Sequence, residues 1–147
     1  MLYQPGHDFG MIQFGTEDTS NRLAEMYKGE YQNVKTVRML SKIDLDFFRD
    51  IDMFTASENK VEKGDIMDAL IVAMDLLNMH CGTRKYRKRI FLFTDGEKQT
   101  MQNDSEMTSL IEQMRQRDVR LNVITLDFAN ELGQDDEEED EYQDDEI

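Results

Sequence analysis

The sequence predicts an α/β fold, a parallel sheet covered by helices, on three observations. The run Ile90-Phe91-Leu92-Phe93 is short and wholly apolar, bounded by Lys88-Arg89 before it and Thr94-Asp95-Gly96 after it. Such a run suits a strand buried on both faces at the centre of a sheet. The segment from Asp65 to His80 carries Ile66, Ala69, Leu70, Ala73, Met74 and Leu77 on one helical face, widened by Met67 and Ile71. A stripe that broad packs against a sheet. After residue 64 the order is helix, strand, helix, strand, which argues parallel pairing through right-handed crossovers.

The remaining elements follow in chain order. Phe9-Gly10-Met11-Ile12-Gln13-Phe14 reads as a strand, broken by Gly15-Thr16 and the polar run to Asn21. Val34 to Leu40 alternates weakly with period two, as a half-buried edge strand does, so a hairpin-like pair is expected. Between them Leu23, Met26, Tyr27 and Tyr31 lie in an insertion rich in Gly and charge, a long loop or a short helical turn. Ile43, Phe47 and Ile51 recur at helical spacing within an amphipathic piece from Ile43 to Met53. Asn103 followed by Glu106 is a capping-box signature, and Met107, Leu110, Ile111 and Met114 place a second covering helix after it. Asp118 marks the turn into a last strand, Val119 to Leu126.

Composition bounds the functional classes. The chain has 147 residues, enough for one domain, and 11 Met with no Trp, a core of soft unbranched side chains. A single Cys81 forms no intramolecular disulfide, and no Cys/His cluster has zinc-ligand spacing. Nothing resembles a signal peptide or a membrane span, so a reducing intracellular compartment is expected. The net charge of −15 is uneven, because residues 135–147 hold ten acids and no base. A block of that kind is expected to be a disordered acidic tail, either a solvated end or a segment for a basic partner. The opposite sign gathers in Arg84, Lys85, Arg87, Lys88 and Arg89, positioned to contact phosphate or a partner, or to cap the preceding helix.

Taken together, Phe14-Gly15-Thr16, Tyr31-Gln32-Asn33-Val34, Asp68 through Asp75 and Lys88 through Asp95 resemble the amino-terminal von Willebrand factor A-like domain of the larger subunit of Ku. The resemblance runs from about Asp8 to Phe128. It implies a Rossmann-like, von Willebrand factor A-type sheet with helices on both faces over residues 1–132, and an acidic tail at 133–147. It further implies that the sheet is incomplete, because the family's first, central strand would precede Met1 and further α/β elements would follow Phe128. On that reading the early hairpin must pair directly with the Ile90 strand or leave open edges that invite aggregation, and poor solubility of the chain alone is expected.

The resemblance also implies a function. Ku heterodimers encircle broken DNA ends, recruit factors of non-homologous end joining, act in the nucleus and in several lineages protect telomeres. The ring belongs to a later β-barrel domain, so double-stranded DNA ends would be met only through the complete heterodimer with the smaller Ku subunit. The family's A-like domain docks basic-hydrophobic peptides of end-joining factors in a groove beside the long helix. Matched residue by residue, that groove involves Leu23, Tyr31, Asp65, Ile71 and Met74. Ile71 and Met74 would equally serve as core residues of any sheet-covering helix.

Other chemistries are weaker. A magnesium site in such domains needs an Asp-x-Ser-x-Ser loop, a Thr and an Asp, since a hard cation demands several oxygen ligands. Asp95 matches the last alone, and Lys63-Gly64-Asp65-Ile66 stands where the Thr is expected. No metal, cofactor or catalytic residue is therefore assigned, and no membrane partner. His7 and His80 fall at a turn and a helix end, Cys81 reads as a half-buried thiol, and no phosphate-cradling loop or nucleophile elbow is present. The alternatives are a stand-alone A-like scaffold without a DNA role, a divergent hydrolase centred on Asp95, and a fragment of a longer protein.

Overall fold

The computed structural model describes residues 6–54, 64–95 and 104–125. Its elements are β1 (Phe9–Phe14), α1 (Arg22–Met26), β2 (Val34–Ser41), α2 (Leu45–Asp52), α3 (Ile66–Cys81), β3 (Lys88–Thr94), α4 (Asp104–Gln116) and β4 (Val119–Thr125). The expected capping Asn103, Gly96 after the central strand, Leu126 and the acidic tail lie outside the described residues.

The early strands pair antiparallel, Phe14 opposite Val34 and Phe9 opposite Ser41, with register shifts around Met11. The later strands pair parallel, Lys88 opposite Val119 through Thr94 opposite Thr125, with α4 as the crossover. These are two separate two-stranded sheets. The direct pairing of hairpin and Ile90 strand does not form, and both β1 and β3 keep one edge without a strand neighbour among the described residues.

Helix α3 joins the two halves. Asp65 begins it by accepting from the Met67 and Asp68 amides, the donors a helix start leaves unsatisfied. Its buried residues are Ile66, Ala69, Leu70, Val72, Met74, Leu76, Leu77 and Cys81. They wrap farther around the axis than one stripe, because the helix is packed on two sides. Leu70, Met74 and Leu77 meet Leu92 of β3, Leu110 and Met114 of α4 and Val119 of β4. Val72 instead meets Leu23 and Val34 in a second cluster. Met74 is 2% exposed and Val34 0%. Cys81 is buried rather than half-buried, since the last turn of α3 still faces the core.

Three expectations need correction. Strand β3 is not buried on both faces: Leu92 points into the core, whereas Phe91 and Phe93 are 53% and 58% exposed. Among the described residues helices pack on one side of the strand, and alternation sends every second residue to the other side. Helix α2 starts at Leu45, two residues after Ile43, because Asp44 caps it by accepting from the Phe47 amide. It buries nothing fully; Phe47 is half-buried beside Phe9, at 6.0 Å between ring centroids, and Ile51 is exposed. In α4 only Leu110 and Met114 are buried and Ile111 faces out, a narrower stripe than the spacing implied.

Candidate functional site

The insertion between β1 and β2 folds back on α3 and is held there by one polar residue. Asn21 is 4% exposed and caps α1 by accepting from the Ala24 amide at 2.8 Å. Its amide nitrogen donates to the carbonyls of Tyr31 at 3.0 Å and Val34 at 2.9 Å. That clamp sets Tyr31, whose φ of 53° is the left-handed region a bulky residue seldom occupies. Arg22 reinforces the contact from outside: its Nε donates to Asp75 Oδ2 of α3 at 2.9 Å, and a second guanidinium nitrogen reaches Asp75 Oδ1.

Leu23, Tyr31 and Ile71 are thereby brought together. Leu23 is buried with Val34 and Val72, and Tyr31 and Ile71 pack against that cluster half-exposed. Tyr27 adds an edge-on ring 6.3 Å from Tyr31. Met74 stands apart, enclosed in the other cluster with Leu70, Leu77 and Leu92, and Ile71 touches both. Asp65 is exposed at the start of α3, its carboxylate engaged with two amides of its own helix.

Sequence reasoning missed Asp68, one turn into α3 beside this apolar group. Partial burial, followed by the charges of Asp65, Glu30 and Glu106, pushes its carboxyl up to about 6. Burial, and after it the charge of Asp68, also raises the Tyr31 phenol above its usual value. Four carboxylates drawn from the insertion, the start of α3 and α4 therefore act on one another through Asp68, and Asp68, Glu30 and Glu106 also act on the Tyr31 phenol. Helical position three from Asp65 was a usable signal; the approach of Glu30 and Glu106 is tertiary.

The basic residues divide differently. Lys88 is not a free contact: its Nζ donates to the Arg117 carbonyl at 2.7 Å and to Tyr86 at 3.3 Å. The ammonium so meets the C-terminal end of α4, where a helix concentrates partial negative charge, rather than the end of α3. Arg84, Lys85, Arg87 and Arg89 are exposed. The β3–β4 register sets Arg120 directly beside Arg89, a neighbour that lies too far along the chain to be read from spacing.

At the other end of α3, His80 Nε2 lies 2.8 Å from Asp8 Oδ2, and Lys42 Nζ lies 2.7 Å from Asp8 Oδ1. These partners account for a histidine and a carboxylate that could have suggested catalysis. Hydrogen bonds from Lys42 and then His80 hold the Asp8 carboxyl below its usual range. His7 is exposed, its ring 6.4 Å from that of Phe9. Asp95 follows the last residue of β3 at the carboxyl end of the parallel pair. Among the described residues no group of three or more His, Cys, Asp or Glu is placed to hold a metal ion, and no helix is long and apolar enough to cross a membrane.

Residues 4–144 match the model of the Ku70/Ku80 N-terminal alpha/beta domain. The chain is 30% identical over 132 residues to X-ray repair cross-complementing protein 5 of Dictyostelium discoideum, covering 90% of this chain and 16% of that protein. It is 27% identical to the ATP-dependent DNA helicase 2 subunit KU80 of Arabidopsis thaliana, covering 86% of this chain and 19% of the relative. To the ATP-dependent DNA helicase II subunit 2 of Aspergillus oryzae it is 26% identical, over 90% and 18%. The chain thus spans less than a fifth of the length of these relatives.

Proposed function

The chain belongs to the Ku70/Ku80 N-terminal alpha/beta domain family, and from that premise we propose that it is the protein-interaction domain of a Ku-type DNA-end-binding subunit. Its work is nuclear: repair of double-strand breaks by non-homologous end joining, with telomere maintenance in the same assembly. Its partners are the smaller Ku subunit and end-joining factors, and DNA ends reach it only through the complete heterodimer. The domain occupies residues 1–132 and the acidic tail 133–147. Its role is recognition rather than catalysis; the helicase wording belongs to the printed names of relatives.

The observation that carries this reading is the gathering of carboxylate charges on Asp68 and Tyr31 beside the apolar group of Leu23, Tyr31 and Ile71. An apolar floor supplies affinity when covered, and carboxylates at its rim select a partner with basic flanks and steer its approach. Asp65, Asp68, Glu30 and Glu106 supply that rim, and Leu23, Tyr31 and Ile71 the floor. Met74 supports the floor from inside the core.

The reading is tested with a fluorescein-labelled peptide carrying three Lys or Arg ahead of Leu, Trp and Phe, titrated with the whole chain by anisotropy. Asp65→Asn keeps a capping side chain while removing its charge, and Asp68→Asn removes the second carboxylate. The double variant is expected to weaken binding about tenfold at low salt, on the order of 1.4 kcal/mol. Unchanged affinity in the double variant would overturn the groove.

A further inference from the structure

Positive charge is answered very differently at the two ends of the molecule. Arg22 and Arg38 lie against Asp75 and against Asp44 and Asp50, and Lys42 and Arg49 lie against Asp8 and Asp46. At the amino end of the β3–β4 pair the pattern reverses. Arg84, Lys85, Arg87 and Arg89 are exposed on the way into β3. Arg115, Arg117 and Arg120 are exposed from the last turn of α4 into β4. Among the described residues none of these side chains forms an ion pair. The bond from Lys88 Nζ to the Arg117 carbonyl ties the two stretches together.

The strand register makes this crowding local. Arg89 and Arg120 are partners in the parallel ladder, and like charges set side by side on a sheet repel. A guanidinium cannot shed its proton to relieve that repulsion, so relief has to come from an anion. The patch itself offers few: residues 82–89 contain no acid, and residues 115–120 contain Asp118 alone. The chain as a whole has the opposite balance, a net charge of −15, and residues 135–147 hold ten acids and no base.

We propose that the acidic segment 135–147 docks in cis on this basic patch, its carboxylates bridging Arg89 and Arg120 and the bases around them. The chain is long enough. β4 ends at Thr125, five residues beyond Arg120, a distance of about 17 Å along a strand. The ten residues from Thr125 to Asp135 extend to about 33 Å, so the acids can return to the amino end of the pair with length to spare. Arginine forks match carboxylates in paired hydrogen bonds. Each exposed pair is weak alone, but a tether holds the segment at millimolar local concentration and lets many act together. Docked there, the segment covers the bases that any outside polyanion would need.

The test treats the whole 147-residue chain with a water-soluble carbodiimide, which joins a carboxylate to a lysine amine only where the two touch, and maps the links by mass spectrometry. Lys85 reports the patch, and Lys28, equally exposed on the insertion, reports chance encounters. At low salt, links from residues 135–147 to Lys85 within one chain are expected to exceed those to Lys28 at least tenfold. They should vanish when salt rises from about 0.01 M to about 1 M, where the screening length falls from about 30 Å to about 3 Å. The double variant Arg89→Glu, Arg120→Glu, altered at two exposed positions, should lose most of the Lys85 links while keeping the parent's thermal midpoint. Equal linking of Lys85 and Lys28 overturns the proposal, as does linking that survives the double variant. Links between chains, with a yield that rises with protein concentration, also overturn it and assign the patch to a neighbour's tail. A final arm titrates a fluorescein-labelled single DNA strand. Neutralising the ten acids to Asn and Gln should tighten its binding at least tenfold, and Arg89→Glu, Arg120→Glu should abolish the gain. Equal affinity with and without those acids would overturn the docking and leave the patch open to nucleic acid.

Discussion

The two ends of the molecule solve the same packing problem to different degrees. Around the β1–β2 hairpin, apolar side chains are enclosed from several directions: Val34 is covered by Leu23 and Val72, and Asn21 fastens the insertion over them. Around β3 and β4, among the described residues, only the α3 and α4 side is closed, and Phe91 and Phe93 are exposed. The more apolar of the two sequences is thus the less buried. Burial is decided by how many layers reach a strand, and the apolar run in β3 is built for a layer on each face.

Substitutions sharpen that contrast. Met74→Ala, at the point where both halves meet α3, is expected to lose about 2–5 kcal/mol in urea unfolding, the range for emptying a packed site. A loss below 1 kcal/mol would mean the halves do not share a core. Asn21→Ala takes the Asn21 donor from the Tyr31 carbonyl, one of two donors from the Val34 carbonyl, and a helix cap, and about 1–3 kcal/mol should disappear. Its marker is faster amide exchange through residues 22–33, with β3 and β4 unaffected. Phe91→Ala, by contrast, is expected to stay within about 0.5 kcal/mol of the parent, as exposed substitutions do; a large loss would show that something covers that face.

Titration separates the regions by sign. The Asp68 carboxyl is raised to about 6 in the fold, so the folded chain holds its proton more tightly than the unfolded chain. Its contribution is favourable below the ordinary aspartate value and is lost as pH rises through 6. Asp68→Asn is expected to flatten the fall in stability between pH 4 and 6. Asp8 is lowered by Lys42 and His80, so its contribution is present above the ordinary value and fades as pH drops through the folded one. Asp8→Asn should flatten the acid limb alone. Thermal melts across pH 3–7 check both, and exchange of the two signs would refute the assigned partners.

Much of the fold was legible. The boundaries of β1 and nearly all of α3 follow from the apolar pattern, whereas β3 runs Lys88–Thr94 and takes in the charges expected to bracket it. The resemblance to Ku, which pattern alone does not reach, accords with the family match over residues 4–144. What stayed hidden is tertiary: that Phe91 and Phe93 face outward, that Ile111 leaves the core, and that Lys88 serves the end of α4 instead of α3. Asp68 escaped notice because its surroundings are assembled from Glu30, Asp65 and Glu106, three separate stretches of chain. Spacing reports which face of a helix a residue occupies, not what arrives opposite it.

The central claim is membership of a working Ku-type assembly, and isolation of the endogenous polypeptide followed by mass spectrometry tests it most directly. The account predicts a stoichiometric companion homologous to the smaller Ku subunit. Recovery of the polypeptide without any such companion would contradict it and leave a stand-alone interaction module.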